Sequence, residues 1–314
     1  MPHPSVIQYL PLTRPKASRR FLNKLNSSNV SAILDLEDSA QNIFDFEETC
    51  ILKEEARNGL LSISSTFESP YKSPIYIRVN SMDTQFFEED IKTVLQSSEN
   101  NIPITGIFLP KVRDYSQILT LNEILSDGDY NLEIVPMIET VKGYSNISNI
   151  LNEDRNYNLI SRVHYGHFDY CLDAGLWPFP DPFHFEYWEI VQNLVGIVHG
   201  YGKTYVHTPF PFPQDEQLFW WTSNKLQKLS PNGVSVMCTV NTGLSLSAKP
   251  NNITDYILYS VNTNTKEILL EANNIIKNFL SGRSIKRSFG VKDNRFIPPH
   301  QYLAAKRFIE NNEN

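Results

Sequence analysis

The sequence is poor in cysteine, in clustered positive charge and in long apolar runs, and each shortage argues against a class of protein. Three cysteines in 314 residues, at no metal-type spacing, give neither a disulfide framework nor a zinc knuckle. Scattered Lys and Arg residues and a net charge of −7 argue against nucleic-acid binding. No run approaches the roughly 18 apolar residues of a membrane span, and residues 1–4 carry no export signal. We therefore expect a soluble protein of the reducing cytoplasm that binds neither membranes nor nucleic acids.

Eight short apolar runs divide the sequence, and helical patterns separate most of them. The runs are almost continuously apolar, which is typical of parallel strands buried on both faces. They begin near Val6, Ala32, Ile75, Gly106, Leu132, Val163, Thr204 and Val234. Helical patterns cover residues 18–25, 46–61, 118–124, 187–198 and 219–229. This alternation predicts an α/β fold, a (β/α)₈ TIM barrel, with a doubly wound open sheet as the alternative.

The last part of the chain has a different pattern. We expect residues 1–250 to form the barrel, which would be the catalytic domain, and residues 251–314 to form a C-terminal helical extension. Two helices are predicted there, at 268–280 and 300–309, joined by a stretch that contains Pro298 and Pro299. Such an extension would close the barrel or contact a neighbouring subunit.

Charged side chains follow five of the apolar runs at the point where each run ends. These residues are Asp35, Glu37, Asp38, Arg78, Lys111, Glu139 and Asp169. In a barrel the carboxyl ends of the strands face the active site. Burying such charges costs roughly several kcal/mol per ion unless they are paired or bind a metal. A single one could be a helix cap, which stays an alternative for Asp38, but five strands together predict an active site.

Glu139 and Asp169 provide carboxylate oxygens from adjacent strands. Such oxygens are the ligands that Mg²⁺ prefers, and Mn²⁺ is the alternative ion. Arg78 has a planar fork that can hold a substrate carboxylate or a developing enolate oxygen at two points. Metal and arginine together would stabilise negative charge on oxygen while a carbon–carbon bond breaks or forms.

Six motifs between residues 5 and 176 resemble, in order, those of the HpcH/HpaI aldolase and citrate lyase β-subunit family, which includes malyl-CoA lyases. They are L-D-L-E-D-S at 34–39, K-E-E-A-R at 53–57, R-V-N at 78–80, L-P-K-V at 109–112, I-E-T at 138–140 and a G-x-x-D-x-x-x-D-x-G pattern at 166–175. The resemblance implies a Mg²⁺-dependent lyase or aldolase that acts on a small oxo acid or hydroxy acid through an enolate. It also implies a homo-oligomer, a trimer or a hexamer.

The resemblance also implies roles for individual residues. Glu139 and Asp169 would be the metal ligands, and Arg78 the carboxylate-binding arginine. The three acidic residues after the second strand would hold metal-bound waters and orient that arginine. They are Asp35, Glu37 and Asp38. Arg14 is similar to an arginine after the family's first strand, and we expect it, with Pro110, beside the substrate.

Other candidate residues have two interpretations each. Lys111 would balance the negative charge of the acidic residues, and the alternative is that it is a Schiff-base lysine. His207 would contact the substrate as an acid or base, or it would be a hydrogen-bonded structural histidine. His164 and His167 are unsuited to joint metal binding, because strand residues three apart point to opposite faces. The aromatic patch at 219–221 indicates core or a subunit interface.

The C-terminal half departs from the family pattern at two places. Relatives that act on CoA thioesters usually carry H-P-x-Q after the eighth strand, whereas residues 238–243 read C-T-V-N-T-G. Pro298 stands where malyl-CoA lyase-like proteins carry an aspartate in their tail. These departures favour an aldolase or condensing enzyme that does not use CoA. The alternatives are a CoA-thioester lyase of the malyl-CoA or citramalyl-CoA type and a non-catalytic barrel acting as a binding or assembly subunit.

Overall fold

The barrel predicted from the apolar runs is present in the computed structural model, which describes residues 6–28, 30–65, 67, 71–100, 102–283, 289–292 and 295–312. Eight parallel strands pair in sequence order, and β1 pairs with β8 to close the barrel. The strands are β1 (Val6–Pro11), β2 (Ser31–Asp35), β3 (Ile75–Arg78), β4 (Ile104–Leu109), β5 (Glu133–Ile138), β6 (Arg162–Tyr165), β7 (Thr204–Pro209) and β8 (Ser235–Thr239). The (β/α)₈ prediction is confirmed, and the open sheet is wrong. Residues 1–4, in which we expected no export signal, lie outside the described residues.

Helices connect the strands and cover the outside of the barrel. They are α1 (Pro15–Asn26), α2 (Phe46–Ser64), α3 (Phe87–Glu99), α4 (Ser116–Asp127), α5 (Val141–Asp154), α6 (His167–Asp173), α7 (Phe185–Gly200), α8 (Glu216–Leu229) and α9 (Thr242–Leu246). A short 3₁₀ helix, Asp38–Ala40, follows β2. None of the helices in the described part of the chain has the length and apolar composition needed to cross a membrane.

The barrel has two apolar layers because the strand residues alternate between its inside and its outside. Inward-facing residues form a small internal cluster that includes Tyr9, Tyr76 and Phe108. Outward-facing residues such as Leu34 and Ile107 join the larger core beneath the helices. Both faces of each strand are thus buried, which explains why the strands appear in the sequence as continuous apolar runs.

The C-terminal extension lies over the carboxyl ends of the barrel strands. It contains α10 (Thr265–Arg283), a hairpin of β9 (Gly290–Lys292) and β10 (Arg295–Ile297), and α11 (Pro299–Asn312). Helices α10 and α11 share an apolar cluster with Ile43 and Trp177 of the barrel loops. Ala304 of α11 packs with Cys171 and Phe179 in a second cluster. The extension therefore covers the barrel mouth of its own chain.

Candidate active site

A cavity of about 1130 Å³ lies between the strand ends and the C-terminal extension. Its floor contains residues that end barrel strands or follow them directly, namely Tyr9, Asp35, Asp38, Arg78, Glu139 and Asp169. Its far wall comes from the extension and includes Phe279, Phe289, Val291, Phe296, Pro298 and His300. Four of the five predicted acidic residues thus line one cavity together with the extension.

Arg78 is held in the floor of the cavity by three carboxylates. The pairing of β2 with β3 sets Asp35 opposite Arg78, so the two side chains leave the ends of neighbouring strands together. Nε and Nη2 of Arg78 each donate to one oxygen of Asp35, both at 2.7 Å. Nη1 lies 2.8 Å from Asp38 Oδ2 and 3.0 Å from Glu37 Oε2. Asp35 therefore occupies the two-point edge of the guanidinium that we expected to hold the substrate.

The loop after β2 is fixed by hydrogen bonds to its backbone. Asp35 accepts bonds from the N–H groups of Glu37 and Ser39, each at 3.0 Å. Burial would raise the pKa of Asp35, but Arg78 and these two bonds outweigh it, so that its pKa is lowered. Lys53 of α2 donates its ammonium protons to the carbonyls of Leu36, at 3.0 Å, and Glu37, at 2.6 Å. The lysine of the K-E-E-A-R motif thus positions the loop that carries the acidic residues.

Lys111 connects three of the predicted acidic residues. Its backbone has a φ of 55°, in the left-handed region, and its N–H donates to Glu139 Oε1 at 2.9 Å. Its ammonium lies 3.3 Å from Glu37 Oε1 and 3.1 Å from Asp169 Oδ1. Burial opposes the charge of Lys111, but Glu37 and Asp169 more than compensate and raise its pKa. Lys111 is therefore a cation that balances the acidic residues, and a raised pKa argues against a Schiff-base role.

Glu139 is buried beside Asp169 and Gly166. A Cβ atom at Gly166 would lie 2.1 Å from Glu139 Oε2, so that only glycine allows this carboxylate to lie against the β6 strand end. Burial and the neighbouring charge of Asp169 raise the pKa of Glu139 well above its usual range. The positive charge near Glu139 is thus too small to offset the cost of burying its carboxylate.

His300, near the start of α11, contacts Asp169 from the opposite side. Its Nε2 atom lies 3.0 Å from Asp169 Oδ2. Burial opposes protonation of His300, but the Asp169 carboxylate prevails and raises the pKa of the histidine to about 9. Asp169, His300 and Asp38 each offer one ligand atom within 4.8 Å of the others. The sequence motifs did not indicate His300.

The charges at the site do not balance within this group of residues. Five carboxylates, at positions 35, 37, 38, 139 and 169, face three lysine and arginine cations, Arg78, Lys111 and Lys53, and His300. Burial raises the pKa of Glu37 as well and outweighs the opposing effect of Lys111. A divalent cation near Asp169 would supply the missing positive charge, and carboxylate oxygens suit it chemically. The residues present therefore fit a divalent ion.

Three further predicted residues lie apart from this charged group. Arg14 is exposed and lines the rim of the cavity, whereas Pro110 is buried and does not line it. His207 does not line the cavity either, because its ring is buried between helix and strand. Its Nε2 lies 2.7 Å from the Tyr187 hydroxyl and its Nδ1 3.1 Å from the Tyr205 hydroxyl. These two contacts support the interpretation of His207 as a hydrogen-bonded structural histidine.

The remaining candidates have hydrogen-bond partners outside the charged group, although His167 also lines the cavity. His164 Nε2 contacts the Tyr9 hydroxyl at 2.8 Å inside the barrel. His167 contacts the Tyr165 hydroxyl and the carbonyl of Pro180. The two histidines have separate partners, but His167 begins α6 and does not lie on the strand, so the strand spacing that we assumed does not apply. The aromatic residues at 219–221 are buried in the main core, which confirms the core interpretation.

The sequence comparison identifies a family, and the structure comparison identifies a fold. The sequence profile of the HpcH/HpaI aldolase/citrate lyase family matches residues 19–183. Comparison with curated protein sequences gave no significant match. Among solved structures, malate synthase of Haloferax volcanii, in a ternary complex with pyruvate and acetyl-CoA, has a TM-score of 0.74 at 15% identity over 100% of this chain and 93% of that one.

Two structures from Mycobacterium tuberculosis are also similar. A citrate lyase β-subunit complexed with oxaloacetate and magnesium has a TM-score of 0.58 at 16% identity, covering 78% of this chain and 96% of its own. CitE with magnesium, acetoacetate and coenzyme A has a TM-score of 0.58 at 14% identity, covering 100% and 99%. At such identities these likenesses show the shared barrel fold, while the profile match covers more than half of the sequence. The chain belongs to the HpcH/HpaI aldolase/citrate lyase family.

Proposed function

We propose that this chain is a Mg²⁺-dependent carbon–carbon lyase or aldolase that acts on a small oxo acid or hydroxy acid, with Mn²⁺ as the alternative ion. One observation carries the proposal, namely the excess of buried carboxylate around Glu139 and Asp169 at the carboxyl ends of the strands. Such an excess is costly in a protein with no cation to bind. The family's aldolases and lyases, and the magnesium in the related citrate lyase β-subunit and CitE structures, support the same conclusion.

Glu139 and Asp169 would hold the ion, with Asp38 beside them. A bound divalent ion supplies Lewis-acid chemistry, which stabilises negative charge on oxygen. Arg78 adds a fixed positive charge. The two carboxylate oxygens of Asp35 hold its guanidinium in place, and the centre of the Tyr9 ring lies 4.9 Å from the guanidinium carbon. Because its two-point edge is occupied, we propose that Arg78 acts through its charge and that exposed Arg14 attracts the substrate carboxylate.

The size and lining of the cavity support a substrate with a second part. A volume of about 1130 Å³ far exceeds what a three- or four-carbon acid fills. The space beyond the charged floor is bounded by aromatic residues, with Phe168 and Phe296 at a ring-centre distance of 6.5 Å. We propose that the acid binds over the carboxylates and that its reaction partner lies against this aromatic wall.

A CoA-thioester lyase is the second candidate. It is favoured by the structural neighbours, two of which contain acetyl-CoA or coenzyme A. It is opposed by Asn241, which stands in the segment where H-P-x-Q is usual. The Asn241 side chain instead accepts a bond from Gly243 N–H at 2.8 Å and caps α9.

The test is exchange of pyruvate methyl protons in D₂O, followed by NMR, because formation of an enolate from an oxo acid needs no second substrate. We expect exchange with Mg²⁺ or Mn²⁺ that disappears in Glu139→Gln. The matched control is Glu123→Gln on the exposed face of α4, which should exchange as the native protein does. Absence of exchange with pyruvate and oxaloacetate would favour the non-catalytic barrel. Condensation or cleavage that requires acetyl-CoA would favour the second candidate.

A further inference from the structure

We infer that the C-terminal extension supplies a nitrogen ligand, His300, to the divalent ion held at Asp169, with Asp38 as a further side chain of the same set. This inference rests on the proposed function, because it concerns the same ion. It goes beyond that function by assigning a ligand outside the barrel strands and a preference for one kind of ion.

The geometry places three potential ligand atoms around one point. Asp38, Asp169 and His300 lie mutually within 4.8 Å, a spacing that one ion can bridge. Lys111 contacts the Oδ1 atom of Asp169, whereas His300 approaches Oδ2. The His300 side of Asp169 is therefore separate from the side that the lysine neutralises.

The His300 side chain is buried and only partly hydrogen-bonded. The residue is 9% exposed, and its Nδ1 atom has no hydrogen-bond partner among the residues that the structure describes. A buried imidazole normally satisfies both nitrogens, because an unmade hydrogen bond costs about 1–3 kcal/mol. A bound ion would take the place of the proton that Nε2 shares with Asp169, because a histidine ligand is deprotonated at the nitrogen that binds the metal.

The extension fixes the position of His300. It is the second residue of α11, and the next turn of that helix packs through Tyr302 and Ala305 into the extension cluster. Phe279 of α10 stacks on Tyr302 at a ring-centre distance of 4.8 Å. The imidazole is therefore presented to Asp169 by a packed helix pair and does not depend on a free loop.

A nitrogen ligand changes the choice of ion. Oxygen-only sites suit Mg²⁺ and Mn²⁺, whereas imidazole suits first-row transition-metal ions, the class to which Mn²⁺ belongs and Mg²⁺ does not. We therefore expect the site to bind Mn²⁺ more tightly than Mg²⁺. An ion shared between strand ends and α11 would also hold the extension to the barrel mouth.

The experiment is electron spin echo spectroscopy on the full-length protein loaded with Mn²⁺, which detects ¹⁴N nuclei bound to the ion. We expect histidine nitrogen modulation in the native protein, its loss in His300→Gln and its retention in His199→Gln, a control on the outer helix α7. Equilibrium dialysis should show that the preference for Mn²⁺ over Mg²⁺ falls by about tenfold or more in His300→Gln.

The possible results distinguish failure of the His300 assignment from failure of the proposed function. Mn²⁺ that binds without nitrogen modulation, or equally well to His300→Gln, would overturn the His300 assignment and leave the proposed function standing. Failure of Mn²⁺ and Mg²⁺ to bind, or binding that Asp169→Asn does not alter, would overturn both. If His300→Gln folds poorly, His300→Asn and the native protein at matched Mn²⁺ loading decide the question from the spectrum alone.

Discussion

At the scale of single residues, the site consists of buried charges whose positions are set by their partners. Asp35 holds the guanidinium of Arg78 at two points, and Glu37 and Asp38 contact the remaining nitrogen. A buried ion pair need not add net stability, but removing one partner leaves a charge that neither water nor protein compensates. Arg78 should therefore matter for stability as well as for binding.

Replacing Arg78 tests this charge network. Arg78→Ala should lower the free energy of unfolding by about 3–5 kcal/mol, because three carboxylates lose their shared cation. Urea unfolding in the presence of EDTA measures the change. The control is Arg113→Ala, which breaks a more exposed pair with Asp83 and should cost less than about 1 kcal/mol. Equal losses in the two variants would show that the buried ion pairs of Arg78 stabilise the protein no more than the exposed pair of Arg113 does.

The sequence predicted which charged residues lie at the site but not how they pair. A charged residue after a buried strand is visible in the sequence, because it interrupts an apolar run. The choice of Asp35 as the partner of Arg78 depends on the register of β2 and β3, which single-sequence patterns do not specify. We predicted a two-point contact between Arg78 and the substrate because the sequence does not show this register. In the structure Asp35 already occupies those two nitrogens.

At the scale of elements, the loop after β2 depends on α2 and β3. Lys53 donates to the carbonyls of Leu36 and Glu37, and Asn80 donates to the carbonyl of Leu36. Asp90 of α3 in turn accepts from the Asn80 side chain at 2.6 Å. The family motifs around Lys53 and Asn80 therefore correspond to supports of the acidic loop.

A change at Lys53 should loosen this loop. Lys53→Met keeps the apolar stem but removes the donor, so that buried carbonyl groups lose a partner at a cost of about 1–3 kcal/mol. Amide hydrogen exchange should rise in the segment 36–40 and remain unchanged in α7. Lys92→Met, on the exposed face of α3, should alter neither stability nor exchange. Unchanged exchange in Lys53→Met would mean that the loop does not depend on α2.

The C-terminal extension is the second element that the site needs. Phe279→Ala should remove the ring that stacks on Tyr302 and weaken the docking of α10 and α11 by about 3–5 kcal/mol. Limited proteolysis should then cleave the chain beyond residue 250 faster, while the barrel stays intact. Leu280→Ala, at the neighbouring position and 44% exposed, is the control and should resist proteolysis as the native protein does. Equal resistance of the two variants would contradict the assigned packing.

Prediction from sequence succeeded for some elements and failed for others for physical reasons. Strands buried on both faces gave clear signals, and all eight were predicted near their observed starts. Helix α5 was not predicted because Gly, Ser and Asn residues dilute its apolar spacing and have low helix propensity. The place of His300 in the site could not be predicted, because it depends on how the extension packs on the barrel.

At the scale of the whole molecule, three buried histidines make stability depend on pH. They are His164, His167 and His207, and burial lowers the pKa values to about 3, about 4 and about 3, respectively. The unfolded chain takes up these protons below about pH 6.5, whereas the folded chain does not. Their contribution to stability is therefore present above pH 6.5 and is lost as the pH falls toward the folded-state values.

The effect can be isolated at His207, which lies away from the charged site. The stability advantage of the native protein over His207→Gln should shrink as the pH falls from 6.5 to 4.5, by up to about 1.4 kcal/mol per pH unit. Gln can still bond to the Tyr187 and Tyr205 hydroxyls, so the variant should fold. Urea unfolding at a series of pH values measures the difference. A difference that is constant with pH would show that His207 is not held neutral by burial.

The most direct test of the central claim is the stability of Glu139→Gln with and without a divalent ion, compared with the native protein. Without metal we predict that the variant is the more stable, because Glu139 must either hold a charge that burial and Asp169 destabilise or take up a proton on folding, and Gln does neither. At an ion concentration 100 times Kd, Mg²⁺ or Mn²⁺ should stabilise the native protein by about 2.7 kcal/mol and leave the variant unchanged. A variant that is less stable without metal, and that gains as much from the ion as the native protein does, would contradict the account.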